Sequence, residues 1–401
     1  MKLLQKEFYQ ILSVNRAQLD PELVSVGSSL ASTRTSTLDN DDDGGPEADI
    51  QIAGESVSEV EQVSAAVMAD LKLIAECMIS TGYGKECAKI YKTIRKSIVD
   101  EGIYRLGIER VSSSRIHKMD RDLMELKTKN WLSSMKIAVK TLFNGERILC
   151  DYVFAASDII RKSCFADITK EGAQILFGFP ESAVKNRKKS PEKVFLMLDM
   201  YTAISENWPE MESIFAFEST SAVLSQAITA LVKLGECVRT MVADYELAIQ
   251  NDRSKSPVPG SGVHHLTIEV MNYLFLLGDY SNTLPDILSY SPYQAKSSLP
   301  ESFFHTSDSD ESPNQAISTH FGWLIHVLLG KLDRKVAHYK DVSLAYLFLA
   351  KNLQYVVDKV RKSNLKHLLG DDWISKQEST VKQFASNYER LAWGSIIETL
   401  T

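Results

Sequence analysis

The sequence predicts an all-α fold. Apolar residues recur at three- and four-residue spacing along most of the chain, and serine–proline and aspartate signals mark helix starts. No run alternates apolar with polar residues between hairpin turns. At 401 residues the chain exceeds the size at which a single core stops growing, so two or more packed units are expected. The coarse expectation is many antiparallel helices joined by loops and stacked side by side.

The elements follow in order. Leu3, Leu4, Phe8, Ile11 and Leu12 form one stripe, so residues 1–24 open with a short amphipathic helix. From Ser25 to Thr37, eight of thirteen residues are serine or threonine, and Asp39, Asp41, Asp42, Asp43, Gly44, Gly45 and Pro46 follow. Such a stretch buries too little apolar surface to offset its ordering entropy, so residues 25–55 are expected to be a disordered acidic linker. Order resumes near Ser56 with Val60, Val63, Val67, Leu71 and Ile74. A long helical reading covers Asp120 to Phe154, where Trp131, Met135, Ala138 and Leu142 share a face.

The same spacing joins Leu224, Ile228, Leu231, Leu234, Val238, Met241 and Tyr245, and then Ala345, Leu349, Leu353, Val356 and Val360. Ser190-Pro191 and Ser312-Pro313 read as helix starts, the second with Gln315 as capping-box partner. Asp341 reads as the cap of the helix containing Leu344. Residues 252–262 and Ser291–Ser312 read as loops rich in proline, glycine and serine or in acidic residues. The organisation expected is therefore helical bundles over 56–251, a linker over 252–262 and a further bundle over 263–401, incomplete at its end.

Chemistry-bearing motifs are sparse. The net charge of −7 excludes a surface that is basic throughout, so any acidic partner must meet a local patch. Cys77, Cys87, Cys150, Cys164 and Cys237 are scattered and lack a C-x-x-C pair, which reads as free thiols in a reducing compartment. Cys150 lies in an apolar helix and reads as core. The N-terminus carries charge where a signal peptide needs an apolar run, and Phe321–Gly330 and Leu344–Ala350 are too short to span a bilayer.

Asp39–Gly44 matches the first half of a calcium loop, but Ile50 stands where the bidentate glutamate belongs. His264 and His265 are adjacent, point in different directions on a helix and read as a cap or packing pair. His320 and His326 do not face one another. No P-loop, dinucleotide fingerprint or nucleophile elbow occurs, so no catalytic residue, metal or cofactor is assigned. Two basic clusters remain. Lys185, Arg187, Lys188 and Lys189 form one, and Lys359, Arg361, Lys362 and Lys366, beside His367, form the other. Each is a candidate contact for an anionic leaflet, weighed against a solvated helix face.

Longer words carry a resemblance. They are CAKIY (87–91) with Arg95, WLSSMKIAVKTLFNGERILCDYVF (131–154), EKVFLMLDMYTAISENWPEMESIF (192–215) and GVHHLTIEVMNYLFLLGDYSNTL (262–284). The tract from Phe321 to Trp373, with NLQYVVDKVRKSNLKHLLGDDW, agrees. Together they resemble the plant form of the seventy-kilodalton exocyst subunit, the exo-seventy family, over about residues 60–397. The resemblance implies an elongated rod of helical bundles and a non-enzymatic role in tethering secretory vesicles to the plasma membrane.

Implied partners are other exocyst subunits, Rho-type small GTPases and phosphatidylinositol bisphosphate, with no nucleic acid. The implied place is the cytoplasm, at the periphery of the plasma membrane or vesicles. The competing reading is a helical adaptor outside the exocyst, in immunity or autophagy-related transport. Relatives extend further at both ends, and their main phosphoinositide patch lies beyond the segment matched by Tyr388–Ile397. Lipid contact here is therefore expected to use the two basic clusters and to be weak.

Overall fold

Backbone hydrogen bonds in this chain are met inside helices: among the described residues every assigned element is helical and no strand occurs. The structure, a computed structural model, describes residues 1–16, 19, 47–186, 190–253, 261–288 and 313–400. In order, the helices are α1 (Lys2–Val14), α2 (Glu47–Ser80), α3 (Gly84–Arg105), α4 (Ser113–Lys118) and α5 (Arg121–Ile137). A π-helical segment (Ala138–Phe143) leads into α6 (Asn144–Val153), followed by α7 (Asp158–Val184), α8 (Lys193–Glu206) and α9 (Trp208–Ile214). A single 3₁₀ turn (Glu218–Thr220) precedes α10 (Ser221–Gln250), and α11 (His265–Gly278), α12 (Leu284–Leu288), α13 (Pro313–Val336), α14 (Val342–Arg361) and α15 (Leu365–Leu400) follow.

Helix α2 starts at Glu47, inside the stretch that composition reads as linker; residues 25–46, the calcium-like run Asp39–Asp43 included, lie outside the described residues. At Ser190 the helix begins two residues later than Ser-Pro capping predicts, because the amide of Lys193 bonds the Ser190 carbonyl in a turn that precedes α8. Proline does stand first in α13, and Asp341 caps α14 by accepting from the Ser343 amide at 2.8 Å. The tract Glu218–Gln250 is long and apolar enough, by length and composition, to cross a membrane, which the sequence reading passed over. It buries Val223, Ala227, Ala230 and Leu234 as a core helix does, while Ile228 and Val232 face out. The expected stripe through Leu224, Ile228 and Leu231 is thus displaced, because alanines permit closer packing than the larger residues beside them.

The chain divides into two compact units, Met1–Lys188 with Asp199–Leu234 and Lys189–Leu198 with Gly235–Thr401. In the first unit α3 packs along α7, and α1 lies on α2 and α3 with Phe8 and Leu12 fully buried. Glycines set the closest approaches. A Cβ on Gly102 would stand 2.9 Å from Leu142, and one on Gly172 would stand 3.0 Å from Ile103. The wider π turn directs Ala138, Val139, Leu142 and Phe143 all into this core.

An ion pair is sealed within it. Arg95 of α3 and Glu146 of α6 are fully buried and 2.8 Å apart. Glu146 also accepts from the Tyr91 hydroxyl at 3.1 Å, and the Arg95 guanidinium donates to the Leu19 carbonyl at 2.9 Å. Burial by itself would lower the Arg95 pKa, but Glu146 overrides it and holds the guanidinium charged. Loss of either partner strands the other charge without water, at about 3–5 kcal/mol.

A second arrangement repairs a broken helix. Pro180 lies inside α7 and has no N–H for the carbonyl of Leu176, one turn back. The indole Nε1 of Trp131 supplies the missing donor at 2.8 Å, and its ring stacks on Phe179 at 6.2 Å.

In the second unit α14 packs along α15, and α11 and α13 complete the layer. Gly370, at φ 83°, turns the chain within the span of α15, a conformation that favours glycine. Asn352 of α14 is fully buried and organises the start of α11. Its Oδ1 accepts from the His264 amide at 2.8 Å and from the Thr267 hydroxyl at 2.7 Å, and its Nδ2 donates to the carbonyls of Phe348 and Gly262. His264 caps α11 by accepting from the Leu266 amide at Nδ1, 3.1 Å away.

These polar contacts can be tested in two ways. Trp131→Phe keeps a ring but removes the donor, so it should lower stability in urea by about 1–2 kcal/mol. In a Pro180→Ala background, where the helix regains its own donor, the same change should cost clearly less. Equal costs in both backgrounds would show that the indole does not serve the proline gap. The second test concerns acid. Burial, with His265 and Lys335 adding to it against Asp252, pushes the His264 imidazole from 6.5 down to about 4. The folded state therefore holds it neutral. Its contribution is complete above pH 6.5 and is lost as pH falls towards 4, up to about 3 kcal/mol. Thermal melts across that range should show this loss, and His264→Asn, which still caps, should flatten it; an unchanged pH slope in the variant contradicts the assignment.

Candidate interaction surfaces

Cys87, Cys150 and Cys164 are buried. Burial pushes the thiols of Cys87 and Cys164 up to about 12 and that of Cys150 well above its ordinary value, the opposite of activation. The cap role read for the histidine pair is carried by His264, with the His265 ring 4.2 Å away. Among the described residues no group of three histidine, cysteine or carboxylate side chains is placed to hold a metal ion.

The first basic cluster straddles the end of α7. Lys185 closes that helix and is exposed; Arg187, Lys188 and Lys189 lie outside the described residues. Asn186, buried beside them, donates to the carbonyls of Ile116 at 3.1 Å and Met119 at 3.4 Å. This pins the end of α7 onto α4, whose Arg115, His117 and Lys118 are exposed. The sequence reading missed these three because it sought runs within one segment, and the fold adds them from seventy residues away. Lys193, beyond the cluster, opens α8, and burial lowers its pKa.

The second cluster is half neutralised. Arg361 pairs with Glu378 of α15, and Lys366 pairs with Asp371 at 3.1 Å. Lys359 donates to the Asn272 side chain at 2.9 Å and lies 5.2 Å from the Phe275 ring. Lys362, exposed at the end of α14, keeps a free side chain among the described residues. Two of the four cations, Lys359 and Lys362, thus keep no carboxylate partner among the described residues, and exposed ion pairs of the kind made by the other two contribute little to stability.

A groove of about 450 Å³ opens in the first unit between α7 and the segment following α3. It is lined by Arg110 and Val111 of that segment, by Ile175, Phe179 and Ser182 of α7 and by Gln226 of α10.

Comparison with known proteins bears on this arrangement. Residues 129–401 match the C-terminal family of the Exo70 exocyst complex subunit. The chain is 31% identical to exocyst complex component EXO70A1 of Arabidopsis thaliana, over 99% of its own length and 60% of that protein. It is 30% identical to EXO70B1 of the same plant, over 85% of this chain and 52% of that protein. It therefore spans between half and three-fifths of these relatives. Its fold is shared with Saccharomyces cerevisiae Exo70p, with a TM-score of 0.61 at 14% identity, covering 98% of this chain and 70% of that one. The chain belongs to the Exo70 family.

Proposed function

We propose that this member of the Exo70 family acts as a non-enzymatic exocyst subunit. It contributes to tethering secretory vesicles at the plasma membrane, by contacts with other exocyst subunits, with Rho-type small GTPases and with anionic phosphoinositide headgroups. The match of residues 129–401 to the family, on an all-α fold, is the observation that carries this reading. Thiols held protonated by burial support binding over catalysis. The working location is cytoplasmic, at the periphery of the membrane.

Lipid contact, in this reading, is electrostatic. Lys185 with its neighbours Arg187, Lys188 and Lys189 is the stronger patch, and Lys359 and Lys362 are what remain without a carboxylate partner in the cluster Lys359, Arg361, Lys362 and Lys366. Each basic residue near an anionic leaflet contributes about 1 kcal/mol, roughly fivefold in affinity.

Affinity purification of the tagged chain from plant cells tests the assembly. Other exocyst subunits should be recovered; their consistent absence would favour the helical adaptor. Sedimentation with liposomes tests the lipid contact. Binding should require phosphatidylinositol bisphosphate and fade as salt rises. Charge reversal of Lys185, Arg187, Lys188 and Lys189 together should reduce it by more than tenfold, and reversal of the second cluster by a smaller factor. Tight, salt-insensitive binding, or binding that survives reversal of both clusters, contradicts the electrostatic account.

A further inference from the structure

We propose that Ser190 is the acceptor for a proline-directed serine kinase, and that a phosphate there weakens the hold of the neighbouring basic segment on an anionic surface. The modification stands on the motif and its geometry; its consequence rests on the lipid contact proposed above.

The motif comes first. Proline follows serine four times, at Ser190, Ser256, Ser291 and Ser312, which is more often than the composition predicts. A proline after the acceptor has no N–H, so it enters an apolar pocket without stranding a donor. Three residues after these serines stand Lys193, Pro259, Gln294 and Gln315, so Ser190 alone combines the pair with a basic residue at that spacing. A cation there complements an acidic substrate groove.

Geometry supports access. A serine–proline pair also reads as a helix start, but the fold does not use this one so. Helix α8 begins at Lys193, and Ser190 stands before it, outside any helix. Its hydroxyl donates to the Glu192 carboxylate, and its carbonyl accepts from the Lys193 amide at 3.1 Å. Ser190 is half-buried, while Pro191 and Glu192 are exposed. A kinase therefore reaches the hydroxyl by opening a turn and one bond to an exposed carboxylate, without unwinding a helix.

The reaction moves a phosphoryl group from a nucleoside triphosphate. The bond from the γ-phosphorus to the bridging oxygen breaks, and a new bond forms to Ser190 Oγ. The hydroxyl proton passes to the base of the kinase, and the nucleoside diphosphate leaves. The product carries about −1.5 to −2 charges at pH 7. Glu192 loses its hydrogen bond and faces a like charge. The run from Lys185 to Lys193 holds five cations against the one carboxylate of Glu192, so the phosphate roughly halves its net charge. A surface contact built on those cations weakens accordingly.

The full chain, incubated with a purified active cyclin-dependent kinase and ATP, tests both parts. Mass spectrometry should find Ser190 modified to higher occupancy than Ser256, Ser291 or Ser312. Ser190→Ala should remove that phosphate and leave the thermal melt unchanged. Sedimentation with liposomes containing phosphatidylinositol bisphosphate should then show binding more than tenfold weaker after treatment, and about threefold weaker for untreated Ser190→Asp, which adds a single charge. Kinase-treated Ser190→Ala should bind as the untreated chain does. The acceptor assignment is overturned if Ser190 stays unmodified in the folded chain, or is modified only after thermal unfolding. The switch is overturned if treated and untreated chains bind equally, or if Ser190→Ala loses binding on treatment as much as the parent. An untreated chain that binds no such liposomes overturns the lipid reading and the switch together, whatever the labelling shows.

Discussion

The first unit depends on a charge pair that has no access to water. Arg95 and Glu146 come from helices fifty-one residues apart, and the same guanidinium reaches the Leu19 carbonyl that follows α1. Neither charge is tolerable in the core alone. The pair therefore requires α3, α6 and the end of the N-terminal segment to meet in one arrangement. Apolar packing around Tyr91, Phe143 and Phe154 would be satisfied by many small shifts of these helices, but the ion pair with its hydroxyl and carbonyl partners is not. The raised pKa values of Tyr91 and Cys150 report the same closed, water-free surroundings.

Elsewhere the helices are finished by side chains that supply what the backbone lacks. The Trp131 indole serves the carbonyl left open by Pro180. Asn352 serves the loop before α11 and a carbonyl of its own helix, and Asp341 and His264 cap their helices. Each buried polar group matched in this way removes a penalty comparable to a lost hydrogen bond. A consequence is that His264, which looks chemical in the sequence, is spent on structure.

Local periodicity made much of the helical content legible. The stripe Trp131, Met135, Ala138, Leu142 is buried throughout, Phe8 and Leu12 face the core, and the cap at Asp341 forms as expected. These features depend on spacing of three and four residues and on the side chain next to a helix start, which are local properties. The start of the stripe in α10, at Leu224, Ile228 and Leu231, was misplaced by one position while Leu234 and Val238 are buried as expected, because hydrophobicity does not distinguish a large exposed residue such as Ile228 from a small one, Ala227, that lets a neighbour come close.

The resemblance to the exo-seventy family was likewise readable, since it rests on words of sequence. Which basic residues are free was not, because ion pairs form between residues brought together by folding. Nothing adjacent to Arg361 announces Glu378, and nothing near Lys185 announces Arg115 across the Asn186 contact. The groove beside Arg110 is also invisible in one dimension, being built from a segment after α3, a face of α7 and one glutamine of α10. The sequence by itself determined the helical periodicity and the cap at Asp341, since each is set within a few residues. Tertiary structure alone decided which charges are paired, since each ion pair joins residues brought together by folding.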